Sequence, residues 1–273
     1  MAEQSSPDET RPTPPAAPVD PARFGFAPGA CAVVTGSASG IGRAAAVALA
    51  RVGVRVAIWD VDLDGANATA DAARVAGAAT AAGAGEPVVV HGDVFDDGAV
   101  AQAWTATCDA LEGVPAHLVD NAGPRAADPR PFLDGLTLGV GAMHRVCDQW
   151  LTLGPPPGAS AVFTASVAGN VTGAEPAWYA SAKAALVGYV RSLAITVAPA
   201  VRVNAVGPSL VATPRMATWM ASDQGRRWRD ENPMRRWAEA DDVAWPIVFL
   251  LSPLAGYVNG VLLPIDGGQT LIL

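Results

Sequence analysis

Residues 30–53 read ACAVVTGSASGIGRAAAVALARVG, and their interpretation decides the fold. The apolar run at 30–36 ends in glycine, the pattern of a strand covered on both faces. Residues 41–53 are helix formers closed by a glycine stop. Between strand and helix, Gly36, Gly40 and Gly42 allow a sharp turn and a close approach of backbone to a ligand. Ser39 and Ile41 complete that turn. The N-terminus of the following helix presents unpaired N–H groups and the positive end of its dipole, which suits a pyrophosphate.

The same alternation continues outward. Strands are expected at 54–60, 87–93, 116–123, 160–166, 201–208 and 260–268. Helices are expected at about 63–82, 97–112, 136–152, 178–198 and 240–252, with a loop-rich stretch from 209 to about 234. Strand–helix alternation at this spacing predicts an α/β fold: a Rossmann-type, doubly wound parallel sheet of about seven strands with helices on both faces. Ligands in such sheets sit at the carboxyl ends of the strands, where the strand order reverses. Asp60 closes the second strand, 20 residues beyond Gly40. A carboxylate there accepts hydrogen bonds from ribose hydroxyls and repels a 2′-phosphate, which favours NAD over NADP. Arg43, just past the turn, works against that preference.

Composition sets further bounds. The chain has 273 residues, of which 51% are hydrophobic, enough for one sizeable core. Its formal net charge of −8 argues against nucleic-acid and membrane-surface partners. Cys31, Cys108 and Cys147 are widely spaced, with no Cys-x-x-Cys pair. His91, His117 and His144 are scattered. No metal site is expected, and a reducing cytoplasmic setting is. Residues 1–28 carry seven prolines and few aliphatic side chains, so they read as a disordered tail before a single domain at 29–273.

Several motifs stand in a fixed order: TGSASGIG at 35–42, GDV at 92–94, DNAG at 120–123, Ser166, Tyr179 with Lys183, GPSLVAT at 207–213 and IDGG at 265–268. In this order they resemble the short-chain dehydrogenase/reductase family, in its common non-extended branch, over roughly residues 29–269. The resemblance implies that Asp93 and Val94 contact adenine. It implies that Asn121, Ala122 and Gly123 lie along the cofactor, and that Pro208, Val211 and Thr213 hold the nicotinamide end. It implies that Ser166, Tyr179 and Lys183 carry the chemistry on an alcohol or ketone substrate, with NAD as cofactor. Homotetramers or homodimers are the family's usual assemblies.

The residue types suit that chemistry. Four-residue spacing places Tyr179 and Lys183 on one helix face. A phenol titrates near ~10 and needs positive charge nearby to act as a base at neutral pH. Lys183 is the only lysine in a chain with 17 arginines. A compact ammonium suits this position better than a planar guanidinium. Ser166 is placed to hold the reacting oxygen.

Three departures from the family pattern leave an alternative open. Leu138 stands where the family has a fourth catalytic residue, an asparagine, and no asparagine occurs between 122 and 169. The stretch from Gly123 to Leu138 is short, and its PRAADPRPFLDG is too proline-broken for a normal helix start. Asp120 and Ser209 replace an asparagine and a glycine, both read as tolerable. The alternative is an NAD-binding scaffold, or an enzyme of elimination or isomerisation. The substrate-covering loop is expected at 209–237. It carries Met216, Trp219, Met220, Trp228 and Trp237, types that line adaptable apolar pockets, and Met216, Trp219 and Met220, together with Trp178, are the candidate substrate contacts. Arg226 and Arg227 read as a solvated face.

Overall fold

A computed structural model describes residues 24–78, 84–172 and 176–271, the side chain of Arg215 excepted. Most of the expected tail, the end of the second expected helix and the last two residues lie outside the described residues. The strands are β1 (Cys31–Thr35), β2 (Arg55–Asp60), β3 (Val88–His91), β4 (His117–Asp120), β5 (Ala159–Thr164), β6 (Val201–Pro208), β7 (Val211–Ala212), β8 (Ala238–Glu239) and β9 (Leu262–Ile265). The helices are α1 (Gly40–Arg51), α2 (Leu63–Ala78), α3 (Asp97–Leu111), α4 (Phe132–Thr152), α5 (Ala177–Thr196), α6 (Ala217–Met220), α7 (Asp223–Glu231) and α8 (Ala240–Leu251).

Seven strands form one sheet in the order β3-β2-β1-β4-β5-β6-β9, and every pairing is parallel. The order reverses between β1 and β4. The central strands are apolar throughout because both faces are covered. Val34, Ile58, Val119 and Val162 face Leu49 of α1 and Ile247 of α8. Val33, Leu118 and Phe163 face Met143 of α4, Leu186 of α5 and Trp104 of α3. The sheet and its two helix layers thus enclose two cores, one on each face, that hold β1, β4, β5 and β6 side by side. Among the described residues, no helix is long and apolar enough to cross a membrane.

The structure departs from the sequence reading in three places. Helix α4 starts at Phe132, not near 136, so FLDG does form its first turn. Pro131 precedes that turn with φ −54°, a position where a missing N–H costs nothing. The stretch 209–234 is more helical than expected. Ser222 caps α7 by accepting the Gly225 N–H at 3.1 Å. Strand β9 stops at Ile265, because the Asp266 carboxylate accepts the N–H groups of Gly268 and Thr270 and turns the chain.

Candidate active site

The glycine turn lies at the reversal point. Gly36 and Gly40 have φ of 65° and 57°, which disfavours any other residue. A Cβ on Gly42 would come within 2.2 Å of the Gly36 carbonyl, so helix and turn pack too closely for a side chain there. The turn is braced from β4, where the Asn121 amide donates to the carbonyls of Thr35 (3.1 Å) and Gly36 (3.2 Å). Thr35 Oγ1 accepts the N–H groups of Asn121 and Ala122, each at 2.9 Å. Ser39, at the N-cap of α1, makes no side-chain capping bond. The first-turn N–H groups therefore remain for an anion.

Further candidates converge on this turn. Asp60 accepts the Ala38 N–H at 2.8 Å and the Asp62 N–H at 3.0 Å, so its carboxylate is fixed beside the turn. Asp93 accepts the Phe95 N–H at 2.9 Å, and Val94 is buried just after β3. Thr213, beyond β7, lies across the turn, with its methyl 3.2 Å from where a Gly40 Cβ would stand. Val211 is buried and pairs with Ala238, while Ile41 is half-buried at the start of α1. Gly123 ends the DNAG run, next to Ala122. Glycines that cannot bear a Cβ, unused helix N–H groups and a fixed carboxylate fit a dinucleotide such as NAD.

Ser166, Tyr179 and Lys183 come together next to this cradle. Ser166 follows β5, where its hydroxyl accepts the Ala168 N–H at 3.1 Å and donates weakly to the Pro208 carbonyl at 3.4 Å. The Ser166 hydroxyl is close enough to the Tyr179 phenol to favour its charged form. Lys183 Nζ donates to the Thr164 carbonyl at 2.7 Å and lies 5.8 Å from the Tyr179 ring centroid. Burial pulls the Lys183 ammonium down to about 8, opposed by the negative charge of Asp120. Lys183 as a residue keeps some exposure, but its charged end is enclosed.

The phenol differs from expectation. Burial pushes Tyr179 above its ordinary value, and the nearby Ser166 hydroxyl only partly offsets this. The ammonium spends a hydrogen bond on Thr164 rather than on the phenol oxygen, so the chain's own residues do not produce the lowering that the sequence suggested.

One residue at the site, Asn170, was missed from sequence, and a second, Asp120, was read only as a tolerable replacement. The Asn170 amide donates to the Ser166 carbonyl at 3.0 Å and to the Lys183 carbonyl at 3.1 Å, joining the loop after β5 to α5. Asp120 is fully buried and hydrogen-bonded to Thr35. The sequence signal for Asn170 was weak: a lone asparagine four residues after Ser166.

The expected substrate residues are placed apart. Trp178 is buried, its ring occupying the space where a Gly135 Cβ would stand, 2.4 Å away, and packing edge-on to Tyr179. Trp219 packs on Trp237 with ring centroids 5.7 Å apart, and Met216 and Met220 are half-buried beside it in the chain. A cavity of about 290 Å³ opens under this region, lined by Leu210, Trp228, Met234 and Trp237 rather than by Met216, Trp219 or Met220. Arg226 pairs with Asp223 on the exposed face of α7, and Arg227 is exposed.

The parallel sheet thus reverses at a glycine cradle that suits a dinucleotide, with Ser166, Tyr179 and Lys183 beside it. The chain belongs to the short-chain dehydrogenase/reductase family: residues 36–270 match the family model described as Enoyl-(Acyl carrier protein) reductase. Cis-4-hydroxycyclohexanecarboxylate dehydrogenase of Sinomonas cyclohexanicum is 35% identical over 196 residues, covering 67% of this chain and 76% of that protein. Levodione reductase of Leifsonia aquatica is 37% identical over 117 residues, 40% of this chain and 44% of that protein. A crystal structure of levodione reductase superposes with a TM-score of 0.80 at 28% identity, covering 90% of this chain and 99% of that one. In sequence, the chain spans about half the length of several curated relatives, 55%, 46% and 44% in three cases.

Proposed function

We propose that the protein is an NAD(H)-dependent oxidoreductase that interconverts a secondary alcohol and a ketone on a mainly lipophilic small molecule. The convergence of Ser166, Tyr179 and Lys183 beside the glycine cradle carries this reading. Nicotinamide bound there would accept or return the hydride and, when oxidised, would bring the positive charge that favours a phenolate. Tyr179 takes the hydroxyl proton in oxidation and returns it to the carbonyl oxygen in reduction. Ser166 holds that same oxygen through its hydroxyl. Lys183 supplies the fixed positive charge beneath the phenol.

Asp60 supports NAD over NADP, since its fixed carboxylate complements ribose hydroxyls and repels a 2′-phosphate. Related solved structures show both choices: a 7α-hydroxysteroid dehydrogenase complexed with NADH and a short chain dehydrogenase of Burkholderia cenocepacia J2315 in complex with NADP. Two relatives, a levodione reductase and a cis-4-hydroxycyclohexanecarboxylate dehydrogenase, support a cyclic alcohol or ketone as substrate. We further read the chain as a homo-oligomer, a tetramer or dimer, because Ile195, Leu254, Tyr257 and Leu271 are exposed.

The test is absorbance at 340 nm over a panel of secondary alcohols with NAD and with NADP, and of ketones with the reduced forms. Turnover with NAD and a cyclic alcohol is expected. Tight NAD binding without turnover across the panel would overturn the redox reading. It would favour the non-redox alternative, which Leu138 at the family's asparagine position keeps in view. Light scattering at micromolar concentration checks the assembly, and a monomer contradicts it.

A further inference from the structure

Asp120 sits at the carboxyl end of β4 with no exposure to solvent. One of its oxygens, Oδ1, accepts the Thr35 hydroxyl at 3.1 Å. The direction of that bond is fixed, because Thr35 Oγ1 spends both lone pairs on the N–H groups of Asn121 and Ala122 and has only its proton left to give. The other oxygen, Oδ2, has no hydrogen-bond partner among the described residues. A buried, unpartnered carboxyl oxygen is costly unless a cation lies near it.

The register supplies that cation. Asp120 pairs with Phe163 across β4 and β5, so both side chains leave the sheet on the face covered by α4 and α5. Lys183 comes down from α5 onto the next residue of β5, binding the Thr164 carbonyl. That contact uses one of the three N–H groups of an ammonium.

We propose that Asp120 is the buried counter-charge of Lys183, a positioning residue that keeps the ammonium protonated where proton transfer requires it. The role rests on the Ser166–Tyr179–Lys183 reading above. Asparagine, the residue expected here by resemblance, has the same shape and no charge. Burial pulls Lys183 down while Asp120 pulls it up. Asp120 is itself pushed well up by burial, opposed by Thr35 and Lys183. The other titratable groups facing the pair are Tyr179 and Tyr189 from α5 and Cys147 from α4, with Asp148 behind Cys147 and the exposed His144 ring against Tyr189. Burial raises both Tyr189 and Cys147, so neither supplies charge near neutral pH. Strands β1 and β5 contribute only Thr35, Phe163 and Thr164.

Because the chain has one lysine, uniform labelling with ¹³Cε-lysine gives a single side-chain resonance that reports Lys183 alone. Wild type is expected to inflect well below the ordinary lysine value of ~10.4, and Asp120→Asn about one pH unit lower still, a tenfold change in acidity. A second, smaller inflection in wild type should mark proton uptake by Asp120. An unchanged titration in Asp120→Asn overturns the proposal. If circular dichroism shows that variant unfolded, Asp120→Ser takes its place, and a wild-type curve with one inflection alone counts against Asp120. The resonance reads the lysine whether or not the protein turns over. An inactive protein with a shifted curve refutes the redox reading and spares the counter-charge, whereas an active protein with an unshifted curve does the reverse.

Discussion

Lys183 Nζ donates to the Thr164 carbonyl at 2.7 Å, two residues before Ser166, so the ammonium is tied to the strand that presents the serine. A guanidinium is wider and planar, and it cannot occupy the same point beneath the Tyr179 ring. Lys183→Arg is expected to lower kcat by about 10²-fold or more and to weaken cofactor binding. Steady-state rates with calorimetric binding check this, and activity within about twofold of wild type would contradict it.

Tyr179→Phe removes the only group assigned to move the proton and keeps the ring that packs on Trp178. Turnover should fall by at least about 10²-fold, with dinucleotide affinity nearly unchanged. Loss of binding together with turnover would instead mean that the hydroxyl holds the cofactor and does not act in proton transfer alone.

Asn170 holds the carbonyls of Ser166 and Lys183 at 3.0 and 3.1 Å. Asn170→Ala should lower kcat by about tenfold and leave dinucleotide affinity within about twofold, since the glycine turn is braced separately by Asn121. Asn170→Asp should be worse than alanine, because a carboxylate would face two carbonyl oxygens. Equal rates for all three proteins would remove Asn170 from the site.

His117 gives the molecule an acid-sensitive point. Burial and the nearby Arg202 hold its imidazole down at about 4, against ~6.5 in an unfolded chain. Ser160 Oγ donates to the Leu251 carbonyl at 2.8 Å, so at the 2.9 Å contact it accepts from His117 Nδ1–H, with the ring neutral. The unfolded chain takes up a proton first as pH falls. Stability is therefore full above ~6.5 and declines down to about 4, by at most ~3 kcal/mol. Urea unfolding at pH 7.5 and pH 5 should show the loss, and His117→Gln should flatten it.

The parts legible in the sequence share one physical cause: they are local. Strands such as CAVVT at 31–35 announce themselves because both sheet faces are covered, and the glycine turn because only glycine adopts its backbone. The Tyr179–Lys183 pair is visible because helix geometry fixes four-residue neighbours. The contacts that stayed hidden depend on partners distant in the chain. Asn170 acquires its place through a carbonyl thirteen residues on, and Asp120 through Thr35, eighty-five residues back. The early start of α4 was hidden by its prolines, which stop just short of the helix. The raised Tyr179 phenol reflects burial, which no spacing rule reveals.

Helix α5 carries Tyr179 and Lys183 at its upper end and Leu186, Val187 and Val190 in the core below. Chemistry and cohesion therefore share a single rigid rod. Heating should offer no intermediate stage in which the molecule is softened yet idle or loosened yet working. The temperature at which catalysis dies should be the temperature at which the body melts, and a rate assay would serve as a thermometer of the fold.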